Sequence, residues 1–335
     1  MAKIERALVV GCGSIARRHI QNLRALGIKE ILAYDPDATR VEYMRKNFQC
    51  VALRRLEDAW TREPGLALLC TPPAVRLPTA RAVLERGIPC FIEKPLAHTL
   101  KDAQALAKIA RSHKTPVVVG YQLRRHPAIL WIKKKMEARA WGKLLYLRAQ
   151  VGQYLPDWRP WQDYRKSYTA RRSLGGGILL DASHEIDLAL HLAGGISSVF
   201  CASKKLSALE INVEDAAELT VWHEGGALGS IHLDMIRRAY ERSCQLTFEK
   251  GVVVWSYEEG HVREFSAASG KWKVHKFNRD GNAAYLSELE LFLRKIKKPA
   301  SSLEGLAELE DGIKSLAVVE ASKRSAKSRK MEKIS

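Results

Sequence analysis

The sequence predicts an α/β protein with an N-terminal doubly wound parallel sheet and a C-terminal α+β domain with an open, mostly antiparallel sheet. Three observations support this fold class. Strands and helices alternate over residues 1–122, alternating apolar strands without helical crossovers follow from about residue 145, and 335 residues exceed the usual size of a single core. We therefore expect a first domain over residues 1–122 and a second over residues 123–335.

The first strand and helix meet in the segment ALVVGCGSIA, which begins at residue 7. Gly11 permits a tight turn, Gly13 leaves no Cβ in the path of a pyrophosphate, and Ala16 lets the helix pack closely on the strand. The helix starting at Ser14 and Ile15 directs its N–H groups at the phosphates. This pattern predicts a dinucleotide-binding turn of the Rossmann type, the alternative being an ordinary strand–helix turn.

An acidic residue closes the second predicted strand, EILAYD. Asp35 follows Ala16 by nineteen residues, and a carboxylate at this spacing hydrogen-bonds a ribose 2′-hydroxyl and repels a 2′-phosphate. The sequence therefore predicts NAD as the cofactor, and Arg40 nearby keeps NADP as the alternative.

The remaining elements of the first domain continue the alternation. We predict helices over residues 38–47, around residue 56, in a stretch ending at residue 87, and over residues 100–113, with strands near residue 51 and in GLALLC, PCFIEKP and PVVVGY. Ligands of doubly wound sheets bind beyond the carboxyl ends of the strands. Further residues predicted to contact the cofactor at these ends are Thr71, Pro72, Glu93, Lys94 and Gln122.

The second domain contains six predicted strands: LLYLRAQVGQY, SVFCASKKL, AAELTVWH, ALGSIHLDM, RSCQLTFEK and GVVVWSYEE. Predicted helices cover residues 181–192, 283–296 and 303 to about 322. We expect the last dozen residues to form a disordered basic tail.

Two segments carry candidate catalytic groups. Lys94, in FIEKP at the end of the fifth strand, is placed to hold a substrate hydroxyl and stabilise an alkoxide near the nicotinamide, unless it is a surface lysine. The predicted helix after SLGGG carries two histidines and two aspartates at helical spacing, and there an imidazole is the natural proton acceptor and a carboxylate one turn away can orient it: Asp181, His184, Asp187 and His191. Asp187 and His191 continue the spacing as alternative or structural residues. A divalent metal site is the other interpretation, but we predict no metal because no outside ligand completes it.

The segment over residues 152–172 interleaves aromatic residues with arginines. Aromatic faces and guanidinium groups suit a polyhydroxylated ring that carries a negative group, although the same composition suits a dimer interface. The predicted substrate contacts are Arg124, Tyr154, Trp158, Arg159, Trp161, Tyr164 and His184.

Composition bounds the partners and the compartment. The net charge of +18 is concentrated partly in residues 323–333, without a nucleic-acid-binding module, so we expect no nucleic-acid partner; contact with a polyanion or an acidic substrate is the alternative. The six cysteines lack a CxxC pair and are expected to be reduced, mostly buried thiols. Because neither an export signal nor a membrane span is visible, we expect a cytoplasmic protein without a membrane partner.

Taken together, these motifs resemble the glucose-fructose oxidoreductase, inositol dehydrogenase and rhizopine-catabolism (Gfo/Idh/MocA) family. The GxGxxA turn, TPP at Thr71, EKP at residues 93–95, GYQLRRHP at residues 120–127, GGG before Asp181, and SLEGLAEL follow the order of that family. The resemblance implies NAD(P)-dependent oxidation or reduction of sugars and cyclitols, a homodimer or homotetramer, and catalysis by Lys94, Asp181 and His184.

Two departures from the family pattern concern the site. Many members separate the catalytic Asp and His by four residues, whereas here they are three apart, which leaves open whether Asp181 or Asp187 supports His184. Many members also carry His where this chain has Arg76. We expect a dehydrogenase for a sugar, sugar nucleotide or cyclitol; the alternatives are an enzyme using tightly bound NAD for transient oxidation in epimerisation or elimination, and a non-enzymatic dinucleotide-binding regulator.

Overall fold

The computed structural model describes residues 4–298 and 305–334, and these residues form two compact units. The first unit comprises the described residues up to Gln122 together with those of Asn282–Ile313. The second unit comprises Leu123–Gly281 and the described residues after Ile313. The unit boundary at Gln122 coincides with the predicted domain boundary, but the predicted second domain of residues 123–335 is not continuous.

The first unit begins with six parallel strands and four helices. The strands are β1 (Arg6–Val10), β2 (Glu30–Tyr34), β3 (Val51–Ala52), β4 (Leu66–Leu69), β5 (Cys90–Glu93) and β6 (Val117–Gly120). The helices are α1 (Ser14–Ala25), α2 (Ala38–Phe48), α3 (Arg76–Leu84) and α4 (Leu100–Ser112). The strand order β6-β5-β4-β1-β2-β3 confirms the predicted doubly wound parallel sheet and brings the carboxyl ends of its strands to one edge.

The second unit contains a mostly antiparallel sheet. Its strands up to residue 276 are β7 (Leu144–Gly152), β8 (Ile196–Lys204), β9 (Ala216–His223), β10 (Leu228–Asp234), β11 (Glu241–Phe248), β12 (Gly251–Ser256), β13 (His261–Ser266) and β14 (Lys271–Lys276). The helices in this stretch are α5 (Pro127–Glu137), α6 (Leu155–Trp158), α7 (Ile178–Asp181) and α8 (Ser183–Ala193). Strands β7 and β10 pair in parallel, and the other described pairs are antiparallel. Sequence reasoning missed β13 and β14 because their half-exposed and polar side chains lack an apolar alternation.

The chain then returns to the first unit with α9 (Ala283–Lys297) and β15 (Ala307–Glu308). Leu289, Phe292 and Leu293 occupy adjacent positions on α9 and enter the core of the first unit. The Phe292 ring lies 6.1 Å from that of Phe91 in β5, measured between centroids. This apolar face explains why residues 282–313 belong to the first unit, which corrects the expected continuous second domain.

The predicted disordered tail is wrong. The final helix, α10 (Leu309–Ser328), is followed by β16 (Glu332–Lys333), which pairs with β8. The Ser325 hydroxyl accepts the Cys201 N–H at 2.9 Å and donates to the Lys330 carbonyl at 2.6 Å. These hydrogen bonds order a C-terminal segment whose basic composition alone predicts disorder. The predicted helix start at Leu303 lies outside the described residues.

None of the helices within residues 4–298 and 305–334 is long and apolar enough to cross a membrane.

Candidate active site

Two glycines shape the loop between β1 and α1. Gly11 adopts φ +88°, and a Cβ there would lie 2.8 Å from the carbonyl carbon of Cys70. A Cβ at Gly13 would instead meet no described heavy atom within 4 Å. The N-cap residue of α1 is Gly13 itself, which has no side chain with which to cap the helix. The loop therefore presents an open face beside a helix N-terminus, which suits a phosphate group.

Asp35 lies one residue beyond β2, beside this loop. Its Oδ2 accepts the Cys12 N–H at 2.8 Å, and its Oδ1 accepts the Asp37 N–H at 2.9 Å. The Arg40 guanidinium is nearer to Asp37, at 3.3 Å, than to Asp35, at 4.0 Å. Two backbone amides thus hold the carboxylate next to the glycine loop, at the position where a ribose hydroxyl is expected.

Thr71 and Gln122 are buried at the carboxyl ends of β4 and β6. The Thr71 hydroxyl has no hydrogen-bond partner among the described residues. A buried hydroxyl without a partner costs free energy, so a ligand that bonds to it is favoured. With the open face of Gly13, this orphan hydroxyl fits a dinucleotide at the carboxyl edge of the sheet. The predicted cofactor residues that surround this edge or the first turn are Gly11, Gly13, Ser14, Ile15, Ala16, Asp35, Thr71, Pro72 and Gln122.

Glu93, also a predicted cofactor contact, directs its carboxylate toward α1. Its Oε1 lies 2.6 Å from Nε2 of His19, whose side chain is fully buried. The His19 ring also packs edge-on against Phe91, with the ring centroids 5.2 Å apart. This pair joins β5 to α1, which is a packing role that the sequence reasoning missed. A histidine within the apolar face of α1, beside Ile20, was the available signal.

Lys94 directly follows β5 and is half-buried in the first unit. The other two predicted catalytic residues, Asp181 and His184, are buried in the second unit.

Asp181 ends α7 and accepts two side-chain hydrogen bonds. The Tyr168 hydroxyl donates to Oδ1 at 2.7 Å, and the Thr169 hydroxyl donates to Oδ2. The helix predicted over residues 181–192 is confirmed as α8, on which His184 lies, but it begins two residues later because Ala182 separates it from α7, which ends at Asp181. Apolar residues continue through both helices, and the sequence spacing therefore conceals the break. Tyr168 and Thr169 are site residues that sequence reasoning did not single out.

Asp187, the alternative acid, is already paired. Its carboxylate accepts hydrogen bonds from Nε and Nη2 of Arg124 at 2.9 and 2.7 Å, and both side chains are buried. This bidentate pair lies within the second unit and directs the Arg124 fork at a carboxylate of its own chain. Arg124 thus has a structural partner within its own chain, and its predicted substrate contact stays a prediction. Between residues 4–298 and 305–334, no cluster of three or more His, Cys, Asp or Glu side chains is arranged to bind a metal.

The aromatic segment after β7 lines a shallow pocket in the second unit. Its lining residues are Leu155, Trp158, Arg159, Gln162, Tyr164 and Ser167. Three predicted substrate residues are thus brought together, and Gln162 joins them. Trp161 is 71% exposed, and Tyr154 lies beneath the Arg238 guanidinium, 3.6 Å from ring centroid to Cζ. Aromatic faces stand here beside amide and guanidinium donors, but the cavity between them, about 10 Å³, has room for no more than a water molecule.

Comparison with known proteins places these sites in a family. Residues 5–121 match the model of an oxidoreductase family with an NAD-binding Rossmann fold, and residues 129–254 match the GFO/IDH/MocA C-terminal domain. Levoglucosan dehydrogenase of Pseudarthrobacter phenanthrenivorans is 29% identical over 60% of this chain and 57% of its own length. The rhizopine catabolism protein MocA of Rhizobium meliloti is 25% identical over 93% of this chain and 92% of its own.

Solved structures share the fold. The WlbA dehydrogenase from Bordetella pertussis, in complex with NADH and UDP-GlcNAcA, superposes with a TM-score of 0.83 over 99% of each chain at 22% identity. The chain spans a little over half the length of levoglucosan dehydrogenase, 57%, and of the UDP-N-acetylglucosamine 3-dehydrogenase of Acidithiobacillus ferrooxidans, 54%. Both family models match in the expected order along one chain, one on each side of residue 122. The chain therefore belongs to the GFO/IDH/MocA oxidoreductase family.

Proposed function

We propose that the protein is an NAD-dependent oxidoreductase that transfers hydride between nicotinamide and a secondary alcohol or ketone of a sugar, sugar nucleotide or cyclitol. The observation that carries this proposal is the first βα loop, in which Gly13 faces open space and two amides hold Asp35 alongside. Relatives named levoglucosan dehydrogenase, UDP-N-acetylglucosamine 3-dehydrogenase and inositol 2-dehydrogenase support the substrate class.

Cofactor preference follows from Asp35. Its carboxylate disfavours a 2′-phosphate, and the nearer partner of Arg40 is Asp37. We therefore expect tighter binding of NADH than of NADPH.

The proposed chemistry divides among three side chains. When bound, NAD supplies the hydride acceptor. Lys94 holds and polarises the substrate oxygen, and His184 takes up or returns the hydroxyl proton. Asp181 supports His184, because Tyr168 and Thr169 fix its carboxylate whereas Asp187 is committed to Arg124. Trp158, Arg159 and Tyr164, which lie together in the second unit, contact the remainder of the substrate in this proposal.

Homo-oligomerisation and a cytoplasmic location complete the proposal. One face of the nine-stranded sheet exposes Phe200, Trp222 and Leu228 on the neighbouring strands β8, β9 and β10. Adjacent exposed apolar side chains are typical of a protein interface. The cysteines are free, and burial raises the pKa of the Cys12, Cys201 and Cys244 thiols to about 12, as suits reduced thiols in a reducing compartment.

The test is a calorimetric titration with NADH and NADPH, followed by turnover assays with inositols, aldoses and UDP-sugars. Lys94→Ala and His184→Ala should each lower kcat about a hundredfold while NADH affinity stays within about twofold, and the double variant should lose less than the product of the two. The exposed Lys101→Ala and His113→Ala serve as matched controls that retain full activity.

Three outcomes contradict the proposal. Tighter binding of NADPH overturns the role of Asp35. Nearly full activity of His184→Ala with an unchanged pH profile moves the base elsewhere, with Asp187, His191 and Tyr164 as the next candidates. Tight NAD binding without net oxidation or reduction of a tested compound, by a protein whose cofactor stays bound and returns to its starting redox state, favours an enzyme that uses bound NAD for transient oxidation.

A further inference from the structure

Arg76 is a buried cation at the carboxyl edge of the parallel sheet. It begins α3, its residue surface is only 2% exposed, and its guanidinium donates to several backbone carbonyls. Nη1 donates to the carbonyl of Glu93 at 2.6 Å, to that of Pro95, and to that of Leu96 at 3.4 Å. Nη2 donates to the carbonyl of Thr71. One side chain therefore ties the loop after β5 to the loop after β4.

Two of these carbonyls flank Lys94. Glu93, the last residue of β5, and Pro95 are the residues immediately before and after the lysine. Backbone carbonyls that leave a sheet while still buried need other donors. Arg76 supplies those donors and fixes the chain on both sides of Lys94.

A guanidinium suits this arrangement of acceptors, because its two terminal nitrogens reach the carbonyls of two loops at once. It offers five N–H donors in a rigid planar fork, whereas an ammonium is a compact point charge and an imidazole has two ring nitrogens. Burying a charge is costly unless hydrogen bonds satisfy it. The set of bonds to Arg76 therefore makes an arginine tolerable here and makes smaller donors poor replacements.

We propose that Arg76 is a positioning residue that sets where the Lys94 ammonium stands at the carboxyl edge of the sheet. The inference rests on the proposed function, in which Lys94 polarises the substrate oxygen. Arg76 acts through Lys94 on turnover, while the glycine loop after β1 holds the pyrophosphate independently. Its contact with Thr71 joins the lysine loop to a predicted cofactor contact on the neighbouring strand.

The first test is a double-mutant cycle with Arg76→Lys and Lys94→Ala. In the otherwise unchanged enzyme, Arg76→Lys should lower kcat about tenfold and leave NADH affinity within about twofold. In the Lys94→Ala background, the same change should cost less than about twofold, because the group that it positions is gone. Arg81→Lys, an exposed position on the same helix that pairs with Glu85, is the matched control and should change neither quantity.

A second measurement needs no substrate. Hydrogen–deuterium exchange of the ligand-free protein should show faster exchange over residues 93–97 in Arg76→Lys and no change in Arg81→Lys. Arg76→His provides the same comparison if the lysine variant does not fold.

The results separate the two proposals. Equal losses from Arg76→Lys with and without Lys94 overturn the positioning role and leave a purely structural one. Unchanged exchange over residues 93–97, or unchanged kcat while Lys94→Ala is impaired, overturns it as well. If Lys94→Ala keeps full turnover, the proposed function of Lys94 fails, and the exchange measurement alone decides whether Arg76 holds this loop.

Discussion

The two glycines of the first loop, Gly11 and Gly13, have different roles although they look alike in the sequence. Gly11 requires its missing side chain for the fold, because its φ is +88° and the backbone of Cys70 and Thr71 lies within 3 Å of where a Cβ would be. Gly13 has φ −78° and open space outside it. The protein itself therefore has no steric requirement for glycine at position 13, and we expect the requirement to come from a bound ligand.

This difference predicts opposite results for two equal substitutions. Gly13→Val should leave the thermal unfolding midpoint within a few degrees of the wild type and abolish NADH binding, because the new side chain occupies the space of the pyrophosphate. Gly11→Val should destabilise the chain by roughly 2 kcal/mol or more through backbone strain and contact. Differential scanning fluorimetry with and without NADH measures both effects. Unchanged NADH affinity in Gly13→Val would place the phosphate site elsewhere.

Residue types were readable from sequence, but their partners were not. The carboxylate of Glu93 binds His19, seventy-four positions away, and Arg124 binds Asp187, sixty-three positions away. Residues this far apart in sequence meet only when the fold is complete, so spacing carries no trace of them. These internal contacts of Glu93 and Arg124 could not be predicted for that reason, and their roles in ligand binding stay predictions.

Among the helices, α5 begins at a residue whose protonation state affects the capping of the helix, His126. His126 precedes Pro127, and its Nδ1 accepts the Ala128 N–H at 3.2 Å, which requires an unprotonated nitrogen. Burial against Trp255, with a smaller contribution from the Arg242 charge, lowers the pKa of His126 from 6.5 to about 4. Between pH 6.5 and 4 the unfolded chain therefore binds a proton at His126, whereas the native chain does not.

Stability should fall as the pH decreases from 6.5 toward 4, because protonation favours the unfolded state. Between pH 7 and 5 this one group accounts for about 2 kcal/mol of the free energy of unfolding. His126→Asn keeps a capping oxygen and removes the titration, so its urea unfolding should depend less on pH. The exposed His113→Asn is the control and should follow the wild type. Equal pH slopes for wild type and His126→Asn would refute the assignment.

At the scale of the whole molecule, the open sheet leaves an apolar surface. Leu228 and Trp222 lie directly opposite each other in the pairing of β10 with β9, and Phe200 lies on β8 beside them. Each of these side chains is more than a third exposed, on the face opposite to the buried residues of the same strands. Their number in adjacent strands favours association of two copies through this face.

The association has a direct test. Sedimentation equilibrium should give a mass of two or four times the 37.6 kDa chain for the wild type, and Trp222→Glu should shift it toward 37.6 kDa because a charge would be buried in the interface. Trp161→Glu changes an even more exposed tryptophan outside this sheet and should leave the mass unchanged. A monomeric wild type, or an oligomer that survives Trp222→Glu, contradicts the proposed interface.

The architecture could be predicted from the sequence, because hydrophobic periodicity and local turn chemistry are encoded over short stretches. The alternation of strands and helices predicted the parallel sheet, and glycine spacing with Asp35 predicted the dinucleotide loop. Sequence reasoning failed where local apolar contrast is absent, namely at β13, at β14 and at the break at Ala182. It also failed at the C-terminal tail, whose basic composition concealed an ordered segment.

Which side chains meet is visible only in the folded structure. It assigned α9 to the first unit through Leu289, Phe292 and Leu293, gave Asp181 its partners Tyr168 and Thr169, and brought Arg76 against the carbonyls on both sides of Lys94. These contacts join residues on different elements, and their hydrogen bonds form only where packing removes water and leaves each buried polar group to find a partner within the protein.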